Sequence, residues 1–359
     1  MNKTVIRKKL FDPDANNIVK LFTGNSDNLI DMIDQDGNPE FYQRWSEKMF
    51  ANNWHPHKYP VSEDVFDFVN LSLIERETLD KCLSHLSGLD SYQVNNLPEI
   101  ANKIRYPEIV GILAFQTMEE SLHAYSYAYI FNTLYTKEDA RLVRDKLKTV
   151  PIMRDRAIGI TDNYELSLKD ETLRTMLTIL LTNLVLEGIM FYNIFNFFFF
   201  LKYQGRMTNT AVVISWIKKQ ELNHVLIFTE ILAKFKEDYP EEWDEEFIIS
   251  FIQKQVIKEI EYSSFIIDPR ILGFSKENIK KYTKYRANIL FKLLKIDYRY
   301  QNASNPFTHL ERVSNIGDEE DSNVGSTETA IFEASNTNYF DPFMKIQDFK
   351  EFANASNKK

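Results

Sequence analysis

Two segments of the chain carry the pattern Glu-x-x-His, with a carboxylate and an imidazole three residues apart. The first is formed by Glu120 and His123, and the second, 101 residues later, by Glu221 and His224. Positions three apart lie on one face of an α-helix, so each segment is expected to point both side chains the same way. One such pair is usually a solvated surface pair, but two copies inside apolar segments favour a binding site.

A further carboxylate precedes each motif, in apolar surroundings. Asp90 lies 30 residues before Glu120, and Glu187 lies 34 residues before Glu221. A buried carboxylate without a partner is costly, so Glu187, in a Phe-rich segment, requires one. The six candidate ligands are Asp90, Glu120, His123, Glu187, Glu221 and His224.

Four carboxylates and two imidazoles form the donor set of two-metal sites in helical bundles. Oxygen-rich sets with few imidazoles favour iron or manganese over zinc or copper. We therefore predict a pair of iron ions, a pair of manganese ions or one of each. The alternative is that the six residues are unrelated polar positions. The remaining histidines, His55, His57, His85 and His309, are predicted to lie on the surface or in loops.

The elements that would hold these ligands are long helices. The chain has only 10 Gly and 11 Pro among 359 residues, and 14% of its residues are aromatic, which is typical of long helices around an aromatic core. The apolar periodicity predicts helices over residues 63–71, 73–87, 90–104, 107–134, 137–148, 167–204, 208–236, 243–263 and 275–296. An all-α protein is expected.

Composition excludes several classes of function. A net charge of −9 disfavours a nucleic-acid surface. A single cysteine, Cys82, allows no internal disulfide and, without an apolar leader in the first thirty residues, favours the cytoplasm. Residues 176–201 are long and apolar enough for a membrane span, but Glu187 and three asparagines favour a helix buried in a bundle instead.

The ligand positions lie within longer motifs: Leu89-Asp90-Ser91-x-Gln93, Glu120-x-x-His123-x-x-x-Tyr127, Glu187-Gly188-Ile189-Met190-Phe191-Tyr192 and Glu221-x-x-His224. Trp54-x-Pro56 lies 36 residues before Asp90, and Ser304-Asn305-Pro306 follows the last predicted helix. With these motifs the chain resembles the radical-generating small (beta) subunit of class I ribonucleotide reductase, from about residue 40 to 310 and more loosely in the tail. The resemblance implies a ferritin-like helical bundle with the di-metal carboxylate site in its core.

The resemblance also implies a redox function. The metal pair would activate dioxygen or superoxide, and the radical or oxidising equivalent would be stored on Tyr127 or on the metal cluster. It would then pass to a large catalytic subunit that reduces ribonucleotides to deoxyribonucleotides. By resemblance, Trp54, Gln220 and Tyr339 form the radical relay, and Phe191, Phe195 and Ile217 form the dry pocket around the radical.

One residue departs from the family pattern at an important position. Gln220 directly precedes Glu221, where the family usually has an aspartate that links the metal-bound histidine to the tryptophan. An amide cannot take up a proton or carry charge as a carboxylate does. Gln220 is still expected to hydrogen-bond Trp54 and to orient His123. The departure is consistent with relatives in which a manganese cluster is itself the oxidant.

The domain organisation follows from these assignments. Residues 1–40 are predicted to be an N-terminal arm, residues 41–309 the ferritin-like di-metal domain, and residues 310–359 a flexible tail that docks on the large subunit. A homodimer is expected, near twice 42.3 kDa. The alternatives are another ferritin-like di-metal oxidase, which would need a substrate tunnel, and an iron-storage protein, which would form a shell.

Overall fold

A computed structural model describes residues 5–30 and 39–314 of the chain, without the side chains of residues 167–169. The twelve α-helices of this part are α1 Pro39–Ala51, α2 Val65–Val69, α3 Leu73–Ala101, α4 Pro107–Leu134, α5 Lys137–Thr149, α6 Pro151–Lys169, α7 Leu173–Val185, α8 Tyr192–Tyr203, α9 Thr208–Asp238, α10 Glu245–Ile266, α11 Lys276–Leu293 and α12 Thr308–Ser314. A π-helix, Leu186–Met190, joins α7 to α8, and short 3₁₀ turns span Pro56–Lys58, Val61–Asp64 and Pro240–Glu242. Two short antiparallel strands, β1 Val19–Lys20 and β2 Thr23–Gly24, complete the described elements.

Local sequence signals explain where the main helices begin. Ser72 and Glu75 form a reciprocal capping box at the start of α3. Side-chain oxygens of Thr136 and Thr172 accept backbone N–H groups at the starts of α5 and α7. Pro107 occupies the first turn of α4, where the missing N–H has no cost. These signals set where α3, α4, α5 and α7 begin, and α3 and α4 carry three of the six predicted ligands.

The structure confirms an all-α bundle and corrects several helix boundaries. The bounds of α4 agree with the prediction, but residues 73–101 form one helix rather than two. The helix continues through Gly88, where a Cβ would overlap the side chain of Leu147 from α5. The glycine allows the two helices to approach closely. Helices α1, α6 and α12 were not predicted, and α7 begins at Leu173 rather than at residue 167.

The apolar segment Leu173–Tyr203 is a core element. By length and composition it could cross a membrane, but its apolar window is 100% buried inside the protein. Every residue from Met176 to Leu201 is buried except Thr178, which is half-buried. The segment therefore forms the centre of the bundle, as the polar residues within it suggested.

Part of the predicted N-terminal arm packs onto the bundle. Leu21 and Phe22, between the two strands, are fully buried. Their backbone N–H groups donate to Asp238 Oδ2 at 2.6 Å and to the Tyr239 hydroxyl at 3.0 Å, at the end of α9. The predicted tail boundary at residue 310 falls inside α12, and residues 315–359 lie outside the described part.

Candidate metal centre

The six predicted ligands converge from four elements of the bundle. Asp90 lies on α3, Glu120 and His123 on α4, Glu187 in the π-helix, and Glu221 and His224 on α9. All six side chains are completely buried. The spacing of the motifs therefore identified residues that the fold brings to one place.

The six residues form two groups of four that share two carboxylates. One group contains Asp90, Glu120, His123 and Glu221, and the other contains Glu120, Glu187, Glu221 and His224; the ligand atoms within each group lie within 4.8 Å of one another. Glu120 and Glu221 belong to both groups. Such sharing is the arrangement in which a carboxylate bridges two neighbouring cations.

Both imidazoles face the centre with the same nitrogen. His123 Nδ1 lies 3.0 Å from Glu221 Oε1 and 3.6 Å from Glu120 Oε2. His224 Nδ1 lies 2.8 Å from Glu221 Oε2 and 3.2 Å from Glu120 Oε1. The two nitrogens thus meet opposite oxygens of the same two carboxylates, one on each side of the centre.

The π-helix that carries Glu187 is held by buried polar contacts. Gln93 Nε2 donates to Glu187 Oε1 at 2.7 Å and to Asn183 Oδ1 at 2.8 Å. On the opposite side, Arg286 Nε donates to the backbone carbonyl of Gly188 at 3.0 Å. A π-turn breaks the regular backbone ladder and often occurs at functional sites. Here the π-turn contains Glu187, the predicted ligand that comes from the most apolar segment of the chain.

Burial and charge perturb the pKa values of the ligands. Burial, together with the neighbouring Glu221 and Glu120 carboxylates, raises the pKa of both Asp90 and Glu187 well above the usual range. Burial disfavours the charged form of His123 and His224, but the Glu221 carboxylate outweighs it and raises both pKa values. Burial also acts on Glu221, whose pKa is nevertheless lowered by the imidazoles. Without a cation, the centre therefore retains protons.

The donor set fits two metal ions. Four buried carboxylates face only two imidazoles, and Glu120 Oε2, Glu187 Oε2 and Glu221 Oε1 lack a hydrogen bond of ordinary geometry within the described part. Buried charge of this kind requires cations or protons. Oxygen-rich donors with one imidazole on each side suit iron or manganese. The chain therefore contains a di-metal site, and Glu120 and Glu221 belong to both of its candidate ligand groups.

Tyr127 lies one helical turn beyond His123 on α4 and is completely buried. Burial raises its pKa well above the usual range, and the adjacent Asp90 carboxylate raises it further. A phenol at this position stays protonated at neutral pH. Phe191, Phe195 and Ile217 are also buried, and the rings of the two phenylalanines are 5.8 Å apart.

Trp54 reaches the centre through Gln220. The indole Nε1 donates to Gln220 Oε1 at 2.8 Å, and the same oxygen lies 2.9 Å from His123 Nε2. Because an amide oxygen only accepts, His123 donates from Nε2, so Nδ1 is the nitrogen that faces the centre and can give up its proton to bind a metal. Tyr339, the predicted relay residue of the tail, lies outside the described residues.

One residue of the site was missed in the sequence. Glu119 is fully buried, accepts from Gln220 Nε2 at 2.8 Å and lies 2.9 Å from His224 Nε2. A signal was present, because Glu119 directly precedes a ligand on α4 as Gln220 directly precedes one on α9. Gln93, which donates a hydrogen bond to Glu187, lies within the motif around Asp90, but the sequence predicted no role for it.

The prediction for one histidine is wrong. His85 is not on the surface or in a loop but lies fully buried on α3, 2.7 Å from the Tyr262 hydroxyl. Burial lowers its pKa to about 3, so it is a neutral core residue. His55 and His57 are exposed, as predicted, and His309 is exposed on α12. The buried Cys82 lies on the same helix as His85.

Comparison with known proteins gives one family. The family model "Ribonucleotide reductase, small chain" matches residues 37–306. The ribonucleoside-diphosphate reductase subunit beta of Treponema pallidum (strain Nichols) is 27% identical over 354 residues, which cover 97% of this chain and 99% of the relative. The ribonucleotide reductase R2 subunit from Clostridium botulinum has a TM-score of 0.83 at 28% identity, covering 88% of this chain and 100% of that one. A putative class I ribonucleotide reductase from Bacillus halodurans has a TM-score of 0.78 at 25% identity, covering 86% and 99%.

Proposed function

The chain belongs to the family of ribonucleotide reductase small chains, and from this premise we propose that its six buried ligands hold two iron or manganese ions and that Tyr127 stores the radical. Small chains of this family generate a radical and deliver it to a large catalytic subunit, which reduces ribonucleotides. The chain is accordingly one subunit of an oxidoreductase that works with its large subunit and as a dimer. Its family resemblance over most of its length argues against an iron-storage shell or another di-metal oxidase.

The observation that carries the proposal is the sharing of Glu120 and Glu221 between two buried ligand groups. When bound, the metal pair supplies the oxidising power, taken from dioxygen or superoxide. Tyr127 would then lose one electron and its phenolic proton. Asp90 lies beside its hydroxyl, and the burial of Phe191, Phe195 and Ile217 is consistent with a dry pocket that protects a radical.

Radical transfer out of the site would begin at Trp54. The contacts from Trp54 through Gln220 to His123 are all between 2.8 and 2.9 Å and are buried, so electrons have a short covalent and hydrogen-bonded path. Gln220 holds this path in place but exchanges no proton. We place the next step, toward the large subunit, on Tyr339 in the tail.

The net charge of −9, the burial of the apolar segment and the single buried cysteine favour a cytoplasmic protein that binds neither nucleic acid nor membrane.

The test is the variant Glu120→Ala. Because Glu120 serves both ligand groups, we expect the variant to bind less than half of the metal that the natural chain binds, and to give no ribonucleotide reduction with the large subunit. Glu108→Ala is the matched control, because Glu108 is a buried carboxylate near the start of the same helix. Full metal content and activity in Glu120→Ala would refute the assignment of the site.

A further inference from the structure

Glu119 and Gln220 together hold both histidines of the metal centre. Glu119 lies on α4 and Gln220 on α9, and their side chains are joined by a 2.8 Å hydrogen bond from Gln220 Nε2 to Glu119 Oε1. Each residue directly precedes a shared ligand of its own helix, and each contacts the histidine of the other helix. All members of this network are nearly or fully buried.

The hydrogen bonds of the network fix every donor and acceptor in it. Gln220 Oε1 accepts from Trp54 Nε1 and from His123 Nε2, so its amide nitrogen must face Glu119. That nitrogen also approaches the Asn52 carbonyl at 3.5 Å. Glu119 Oε2 accepts from His224 Nε2 at 2.9 Å. Reversing the amide would set its nitrogen against the indole N–H and its oxygen against a carboxylate, so only one orientation is satisfied.

A carboxylate at position 220 is incompatible with this arrangement. It would place an oxygen where the amide nitrogen now lies, 2.8 Å from an oxygen of Glu119 and close to the Asn52 carbonyl. Two buried carboxylates in contact repel each other. The presence of Glu119 therefore explains why position 220 carries a neutral donor, which the sequence alone showed only as a departure from the family.

We infer that Glu119 is a positioning residue of the metal centre, and that it carries on the His224 side the negative charge that the family usually places beside His123. By accepting from His224 Nε2, Glu119 holds that imidazole with Nδ1 aimed at the ligand group. By accepting from Gln220 Nε2, Glu119 also fixes the orientation of the Gln220 amide, whose oxygen orients His123 in turn. A carboxylate behind a metal-bound imidazole increases the basicity of the ligand.

The exchange of the two residues provides a sharp test, which rests on the proposed metal site. Glu119→Gln places two amide nitrogens against each other or leaves His224 without an acceptor, and Gln220→Glu brings two carboxylates together. Each single variant is expected to weaken Mn²⁺ binding to the full-length chain by about 10–100-fold. The double variant restores one carboxylate and one amide in contact, so it should bind Mn²⁺ more tightly than either single variant. Calorimetry and the paramagnetic resonance signal of free Mn²⁺ measure this directly.

Asp64→Asn controls for simple loss of stability. Asp64 is a buried carboxylate that accepts backbone N–H groups of Asn209 and Thr210 at the start of α9. This variant should lower the melting temperature without changing Mn²⁺ affinity, whereas the network variants should change affinity. A single variant that fails to fold while the double variant folds would also support the pairing.

Two results would overturn the inference. One is a Glu119→Gln variant that binds Mn²⁺ as tightly as the natural chain. The other is a double variant whose loss of Mn²⁺ affinity equals the losses of the two single variants combined, because the free-energy effects of independent positions add. Neither result bears on the proposed function, which fails instead if the natural chain binds no metal under any loading.

Discussion

Gly188 is predicted to be essential for the packing of the π-helix that carries Glu187. A Cβ at this position would lie 2.7 Å from Leu290 Cδ2 and 3.2 Å from Leu290 Cδ1, where carbon atoms prefer 3.5–4.0 Å. Leu290 on α11 is fully buried and would have to move by about 1 Å. The variant Gly188→Ala therefore tests whether this close approach is required.

The expected cost of Gly188→Ala combines two effects. Overpacking of a dense core costs about 1–3 kcal/mol. Any shift of α11 also strains the hydrogen bond from Arg286 to the Gly188 carbonyl, and a bond of this kind contributes about 1 kcal/mol. The sum is about 2–4 kcal/mol, which corresponds to a fall in melting temperature of roughly 3–6 °C for a chain of this size. Because Glu187 is the neighbouring residue, Mn²⁺ affinity should fall as well.

Thermal unfolding of the metal-free chain measures this cost, with two controls. On a Leu290→Ala background the added methyl group has space, so the Gly188→Ala penalty should largely disappear. Gly159→Ala adds a methyl group on helix α6 where nothing lies within 4 Å, and it should leave the melting temperature unchanged or slightly higher. If Gly188→Ala melted like the natural chain, the close approach of α11 would not matter and the reasoning would be refuted.

Three other predictions concern the metal centre. Asp90→Ala removes a ligand of only one group and should retain about one metal ion per chain, whereas Glu120→Ala should retain fewer; equal losses, measured by metal analysis, would contradict the sharing. Tyr127→Phe should abolish a tyrosyl paramagnetic resonance signal while keeping the metal; an unchanged manganese signal with full activity would assign the oxidant to the cluster. Metal affinity should rise with pH, because the raised pKa values of Asp90, Glu187 and the two histidines mean that metal binding displaces protons. For each proton displaced, the affinity should rise by up to about tenfold per pH unit. Calorimetry in buffers of different ionisation enthalpy counts these protons, and a pH-independent affinity would disprove the direction of these shifts.

The convergence of the six proposed ligands could be predicted because it is a matter of spacing along helices. Two Glu-x-x-His motifs place four ligands without knowledge of the fold, and Glu187 is conspicuous as a carboxylate in an apolar segment. The boundaries of α4 were also predictable, since Pro107 marks its first turn. Such signals lie within one element and depend on local physical chemistry alone.

Other features depend on partners that are distant in sequence. Glu119 gains its role from Gln220, 101 residues away; its place directly before Glu120 marks it as near the site but does not reveal this contact. Gly88 lies just after the predicted end of helix 73–87, but the helix continues through it, and the absence of a side chain allows the approach of Leu147 from another helix. His85 lies on the face of α3 that also buries Cys82 and Leu89, so its apolar neighbours at helical spacing could have identified it as a core residue.

The contact between positions 119 and 220 also bears on how such chains diverge. One lineage carries the carboxylate at position 119 on α4, and another would carry it at position 220 on α9, so the two differ by two substitutions. A chain with only one of these substitutions has either two carboxylates or two amides facing each other. Both intermediates would load metal poorly, so neither form drifts easily into the other. The two residues should therefore be inherited as a pair, and a relative with an acidic residue at the position of Gln220 should carry a neutral one at that of Glu119.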